Sequence, residues 1–246
     1  HLDGYTDCLA RITYIIILYI AVHEKTACYE FTNKIRFIGG RKMKKEKLIK
    51  KYDKQVKMYE KNRDQATLSN WRRKLLKNAY GNVLEVGIGV GANFPFYNRE
   101  NVYITGVDFS QQMINSAKRL ATTLQVKANF IQNDIDQLRF EENAFDCIVS
   151  TLTLCSYPEP VVTLNKFNEW CKPNGTILLM EHGLSSKRLL STSQNIINPL
   201  FKKISGCHCN RDMIAIIDQS DLQIEHAEHY WQDIMCLVWA KPSKKV

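Results

Sequence analysis

Three carboxylates, each at the end of an apolar run, are spaced to grip an adenosine-bearing cofactor. The first is Glu85 in Val83-Leu84-Glu85-Val86-Gly87-Ile88-Gly89-Val90-Gly91, where glycine recurs at every second position after the acid. Glycine lets the backbone turn tightly and approach a ligand where a Cβ would collide. A carboxylate beside such a turn can receive a ligand's ammonium group. Asp108 closes a second run, Val102-Tyr103-Ile104-Thr105-Gly106-Val107, and lies 17 residues beyond Gly91. An acid about 20 residues past a glycine turn is placed to hold both hydroxyls of a ribose. Asp134 ends the third run, 128–133, where it can accept the amino group of an adenine.

Two cofactors compete for this pattern. Gly87, Gly89 and Ala92 also satisfy the looser dinucleotide fingerprint of NAD(P) and flavin enzymes. A pyrophosphate, however, prefers bare backbone amides at a helix N-terminus, and Glu85 would repel it. Asn93-Phe94-Pro95-Phe96-Tyr97 gives a short aromatic helix start rather than a long phosphate-capping helix. The balance favours S-adenosylmethionine (SAM). An NAD(P)- or flavin-dependent oxidoreductase and a SAM-binding module without turnover stay open as alternatives.

The elements that must hold these acids alternate. Apolar residues at helical spacing (Leu48, Tyr52, Val56, Tyr59) predict a helix over 44–62. Leu68, Trp71, Leu75 and Ala79 predict another, with Gly81 at its C-cap. Strands follow at 83–86, 102–107 and 128–133. Ser110 is expected to cap a helix carrying Met113, Ile114, Ala117 and Leu120. Phe145–Ser150 reads as a strand buried on both faces, Pro158 and Pro160 open a helix, and Pro173-Asn174-Gly175 makes a turn into a strand at 176–180. Leu222–Tyr230 and Met235–Ala240 read as a hairpin. The expected fold is α/β: a Rossmann-like, doubly wound, mostly parallel seven-stranded sheet ending in an antiparallel hairpin, with N-terminal helices.

The net charge of +9 is concentrated, since residues 41–77 hold 15 Lys or Arg against 4 Asp or Glu. We expect a basic helical cap at 41–79, a solvated face that can also touch an acidic membrane surface. Residues 1–40, opening on His1 and including the uncharged run 12–22, are expected outside the fold, as an upstream or weakly membrane-associating extension. Eleven residues fall far short of a ~30 Å hydrocarbon core. Eight scattered cysteines lack a secreted disulfide framework, so reduced thiols in a cytoplasmic setting are expected, with membrane association as the lesser alternative. Cys207-His208-Cys209 in direct succession is a poor chelate, and no metal is expected there.

With these residues in place, the chain resembles the class I SAM-dependent methyltransferases over about 80–241. It is most similar to the small-molecule branch of ubiquinone/menaquinone C-methyltransferases and methyltransferase-like thiol S-methyltransferases. The likeness rests on Leu84-Glu85-Val86-Gly87, Thr151-Leu152-Thr153-Leu154-Cys155-Ser156, Cys171-Lys172-Pro173-Asn174-Gly175, Met180-Glu181-His182, Gly206-Cys207 and Asn210-Arg211. It departs at Asn174, where the family usually has glycine. The resemblance implies that Glu85, Gly87 and Gly89 hold the methionine tail while Gly91 shapes the turn. Asp108 would take the ribose, Phe109 would cover the adenine, and Asp134 and Ile135 would frame its edge. Ser150 and Thr151 would face the sulfonium and the acceptor.

For chemistry, His182 directly after the fifth strand is the candidate base, with Ser150 and Thr151 beside the reacting centre. Cys155, Tyr157, His182, Cys207 and His208 are expected to line an acceptor pocket of apolar walls and few polar groups. The tetrads and the Pro-Cys pair of base-methylating enzymes are absent, so nucleic acid is not expected as a substrate. A small or lipid-like acceptor (a thiol, a phenol or quinol, or a lipid) fits better.

Overall fold

The computed structural model describes residues 45–244. The expectations placed on 1–40, including the apolar run 12–22, lie outside the described residues. The chain begins with α1 (Lys45–Lys61) and α2 (Ala66–Leu76), then β1 (Gly81–Val86), β2 (Val102–Asp108), α3 (Gln111–Leu124), β3 (Ala128–Gln132) and β4 (Phe145–Thr151). It continues with α4 (Pro160–Trp170), β5 (Cys171–His182), α5 (Arg188–Ser205), α6 (Met213–Asp218), β6 (Leu222–Tyr230) and β7 (Met235–Pro242). The seven strands form one sheet in the order β3-β2-β1-β4-β5-β7-β6. The first five run parallel, and β7 pairs antiparallel with both β5 and β6. The doubly wound sheet with its terminal hairpin is therefore as the sequence pattern implies.

Strand alternation separates two cores. Val83, Ile104, Cys147, Val149, Leu178, Met180 and Leu237 point to one face, where Trp71, Leu75 and Leu76 of α2 and Ile114, Ala117 and Ala121 of α3 close over them. Leu84, Val86, Ile148, Ile177, Leu179 and Val238 point to the other, beneath Leu164, Phe167 and Trp170 of α4. Fully burying side chains of this size contributes about 1.5–3 kcal/mol each, which fixes the strand register and hence the strand ends. Ser110 caps α3 by accepting from the Met113 amide at 3.1 Å.

Two local expectations are corrected. Gly81 does not cap α2, which ends at Lys77 in the right-handed region. It opens β1 at φ +66°, where a Cβ would stand 2.5 Å from the Asp146 carboxylate. The 173–175 segment is not a turn preceding a strand either. β5 already starts at Cys171, opposite Phe145, and resumes pairing at Thr176 opposite Cys147, so 172–175 bulge out of a continuous strand. Gly175 is required there because a Cβ would meet Cys171 Sγ at 2.6 Å and the Asp146 carbonyl at 2.8 Å. Neither Asn174 nor Gly175 is left-handed.

α1 lies along α3 through Asp53 and Glu60, which accept hydrogen bonds from Ser110 Oγ and Ser116 Oγ, each at 2.5 Å. Arg119 pairs with Glu60 at 3.0 Å. Tyr52 of α1 meets Phe109 edge-on with ring centroids 5.3 Å apart, so the basic helix crosses above the carboxyl end of β2.

Candidate active site

A cavity opens at the carboxyl ends of β1, β2 and β4, the edge where open α/β sheets bind ligands. Its floor is the turn after β1, where Gly87, Gly89 and Gly91 all have positive φ. Gly87 packs so closely on the loop after β4 that a Cβ would stand 2.2 Å from Thr153 Cγ2. A Cβ on Gly91 would strike the Phe94 ring at 2.6 Å, so Gly91 shapes the turn without lining the cavity. Gly89 differs: the nearest atom to a Cβ there is the Gly87 carbonyl at 3.9 Å, and the missing side chain leaves open space.

Two carboxylates flank this cradle. Glu85 is buried, accepting from Tyr97 Oη at 2.8 Å and Asn93 Nδ2 at 2.9 Å. Asn93 in turn accepts from Arg72 Nε at 3.1 Å, and its Nδ2 also donates to Thr151 Oγ1 at 3.1 Å. Desolvation pushes the Glu85 carboxyl up to about 7 despite these donors. Asp108 is half-buried at the end of β2, where burial pushes it up to about 6. It accepts from the Gly89 amide at 3.0 Å and the Ser110 amide at 2.8 Å, tying the glycine turn to the start of α3.

Glu85, Gly87, Gly89, Asp108, Phe109, Ile135, Thr151 and Tyr157 all line the cavity. The structure adds residues the sequence did not single out for the site: Tyr52 and Tyr59 from α1, Arg72 from α2, Asn93, Met113 and Leu152. The two tyrosines sit seven residues apart on one helical face, a spacing read as ordinary packing. Leu152 has φ +59°, an uncommon conformation that costs of order 1–3 kcal/mol and clusters at functional sites.

Other expected residues lie elsewhere. Asp134 caps a short 3₁₀ turn, Ile135–Gln137, by accepting from the Asp136 amide, while its neighbours Asn133 and Ile135 form the wall. Ser150 is fully buried and faces away from the cavity, contacting Thr153 Oγ1 at 2.5 Å and Glu181 Oε1 at 3.2 Å. His182 turns its Nε2 toward Cys207 Sγ at 3.7 Å instead of lining the cavity. Burial is the largest single influence on His182 and draws it down, but Cys207 and Glu181 together outweigh it and the net shift is upward. Cys155 and Cys207 gather beside His182, also outside the cavity wall. His208 Nδ1 pairs instead with Asn198 at 3.3 Å, so it belongs to the α5 contact.

Residues 84–179 match the family model described as a methyltransferase domain. The sheet order and the glycine turn between two strand-end acids agree with that match, and the chain is similar to class I SAM-dependent methyltransferases of the small-molecule branch. It is similar to the mitochondrial methyltransferase OMS1 of Saccharomyces cerevisiae, 27% identical over 208 residues, 76% of this chain and 43% of that protein. It is similar to the thiol S-methyltransferase TMT1B of Rattus norvegicus, 28% identical over 157 residues, 61% of this chain and 62% of that protein. A solved SAM-dependent methyltransferase of Mesorhizobium loti shares the fold, with a TM-score of 0.57 at 15% identity, covering 73% of this chain and 99% of that one. The chain spans less than two thirds of the length of the curated relatives named here.

SAM is the cofactor of this class, and the cavity fits it. The space over Gly89 admits an amino-acid tail that a side chain would block. Among the described residues no cation touches the desolvated Glu85, whose contacts are Asn93 and Tyr97, and a ligand's ammonium would supply one. Asp108 stands one strand away at the ribose distance in sequence and on the same cavity wall.

Proposed function

We propose that this chain transfers a methyl group from SAM to a small or amphipathic acceptor, as an enzyme of the class EC 2.1.1. The observation that carries the reading is the shared wall of Glu85, Gly89 and Asp108 facing aromatic side chains from a helical cap. SAM supplies an electrophilic methyl carbon on a sulfonium, whose departing sulfur is already a good leaving group. Glu85 holds the ammonium of its tail, and the Gly87–Gly89 backbone lets that tail approach. Asp108 accepts the ribose hydroxyls, and Phe109 and Ile135 flank the base.

The acceptor then lies against Tyr157, Leu152 and Thr151 from the β4 side and Tyr52 and Tyr59 from α1. We read residues 41–79 as its cap and 80–241 as the catalytic domain. Placement contributes most of the rate, up to ~10 kcal/mol of pre-arranged encounter. Among the described residues the cavity wall carries tyrosines and hydroxyls but no histidine, so the acceptor must lose its proton without an imidazole base. A thiol, with pKa near 8.5, meets that need; a thiol is also what the name of the rat relative states.

No helix among the described residues is long and apolar enough to cross a membrane. The basic side chains of 41–77 support peripheral contact with acidic lipid, and eight cysteines scattered without a secreted disulfide framework support a reducing compartment such as the cytoplasm. Incubation with SAM and a panel of thiols, phenols, quinols and ethanolamine-type amines tests the proposal, read by mass spectrometry. S-Adenosylhomocysteine should form together with a methylated product. A folded protein that binds SAM and turns over none of these classes would make it a binding module instead.

A further inference from the structure

Cys155, His182 and Cys207 come from three separate segments: the loop after β4, the last residue of β5 and the turn after α5. Their ligand atoms all lie within 4.8 Å of one another, and Cys207 Sγ is 3.7 Å from His182 Nε2. A tetrahedral zinc ion, with Zn–S about 2.3 Å and Zn–N about 2.0–2.1 Å, separates a sulfur and a nitrogen ligand by about 3.6 Å. The observed edge therefore needs almost no movement to close on an ion.

The backbone holds these donors ready. The His208 amide donates to the Cys155 carbonyl at 3.0 Å, joining the two cysteine loops directly. Arg211 Nη1 donates to the Leu154 carbonyl at 2.6 Å. Gly206, left-handed at φ +91°, seats the turn against α1, where a Cβ would meet Leu48 at 2.7 Å and Tyr52 at 3.4 Å. Among the described residues the sulfurs' partners outside the cluster are weak: Cys155 Sγ reaches the Leu152 carbonyl at 3.8 Å, and Cys207 Sγ lies 3.2 Å from Ser205 Oγ.

The sequence drew attention to Cys207-His208-Cys209, but the fold divides that run. His208 and Cys209 face Asn198 and Gln194, whereas Cys207 alone joins the cluster.

We propose that Cys155 Sγ, His182 Nε2 and Cys207 Sγ form a three-ligand site for a zinc-class divalent cation. Two thiolates and a neutral imidazole balance the charge of the ion, and binding releases the two thiol protons to solvent. Soft sulfur donors exclude magnesium and calcium. Three protein ligands leave a fourth position, as in zinc sites that keep one open. His182 and Cys207 are only half-buried, so water or an exogenous sulfur fills it. The site adjoins the acceptor end of the cavity: Ser156 and Tyr157 next to Cys155, and Tyr52 against Gly206, all line it. This inference does not depend on the acceptor's identity or on turnover.

The test uses the full chain, reduced and freed of metal, titrated with cobalt(II) and separately with zinc. One equivalent of cobalt should bind, with a thiolate-to-cobalt charge-transfer band in the near ultraviolet and tetrahedral d–d bands in the visible. Zinc should displace it and abolish the spectrum. Cys207→Ser and Cys155→Ser should each weaken cobalt binding at least 100-fold and diminish the charge-transfer band, while Cys209→Ser should leave both unchanged. Circular dichroism and SAM affinity of each variant report that it is folded. A reduced wild-type protein that binds no cobalt would overturn the proposal. So would a folded Cys155→Ser, Cys207→Ser double variant with undiminished binding, or loss of the site in Cys209→Ser.

Discussion

SAM affinity should fall as the pH drops below 7, because the cofactor must find Glu85 ionised. Burial pushes this carboxyl up to about 7, and an ammonium arriving beside it favours the charged form. At pH 6 only about one-tenth of Glu85 is ionised, so affinity should be about tenfold weaker than near pH 7.5, or about 1.4 kcal/mol. Asp108, at about 6, adds roughly a further factor of two over the same interval. Above pH 8 the ligand's own α-amino group, near 7.7–8.0, loses its proton and affinity falls again. The optimum therefore lies between about pH 7 and 8. Calorimetric titration from pH 5.5 to 8.5 measures this, and repeating it at pH 6.5 in buffers of different ionisation enthalpy counts the proton released. Glu85→Gln should weaken binding at pH 7.5 and remove most of the change between 6 and 7. A wild-type affinity flat from pH 5.5 to 7.5, with no proton released, would refute the Glu85 assignment.

Apo-protein stability should fall as pH rises from 6 to 8. Glu85 and Glu181 are 2% and 0% exposed, and desolvation pushes both up to about 7 from 4.5. The native state thus binds more protons than the unfolded chain in that range, so the stabilisation is complete below about 4.5 and is lost as pH climbs through 7. Thermal unfolding should show a midpoint several degrees lower at pH 8, and a higher one would contradict the burial of these acids. Gly87→Ala should cost about 1–3 kcal/mol from its φ alone, plus the collision with Thr153, whereas Gly89→Ala should lower SAM affinity with a smaller loss of melting temperature. Equal melting losses in the two variants would show that the turn is not divided as described. Asp108→Ala should weaken SAM binding at least tenfold, since charge-assisted bonds contribute about 1.5–3 kcal/mol each. Unchanged affinity in a folded variant, measured by calorimetry, would remove Asp108 from the ribose.

The sheet was legible because strand alternation, Ser110 and the strand-end acids act locally: each depends on neighbours within a few residues. The acids were found for the same reason, since Glu85 and Asp108 each terminate an apolar run. What the sequence hid depends on contacts between distant segments. Arg72 sits in a basic run that reads as a solvated face, yet it is buried against Asn93, 21 residues away. Ser150 lies on the right strand, but strand pleat turns it to Glu181 on β5, 31 residues on. His182, Cys155 and Cys207 were named as one pocket, and the fold does gather them, beside the cavity instead of on its wall. The bulge at 172–175 concealed the true start of β5, because a Pro-Asn-Gly run signals a turn wherever it stands.

A structure of the protein with S-adenosylhomocysteine bound tests the central claim most directly. The ligand's amino-acid tail should lie over Gly87 and Gly89 beside Glu85, its ribose hydroxyls on Asp108, its base between Phe109 and Ile135, and its sulfur toward Tyr157 and Leu152. A ligand found outside this cavity, or seated with its ribose away from Asp108, would contradict it.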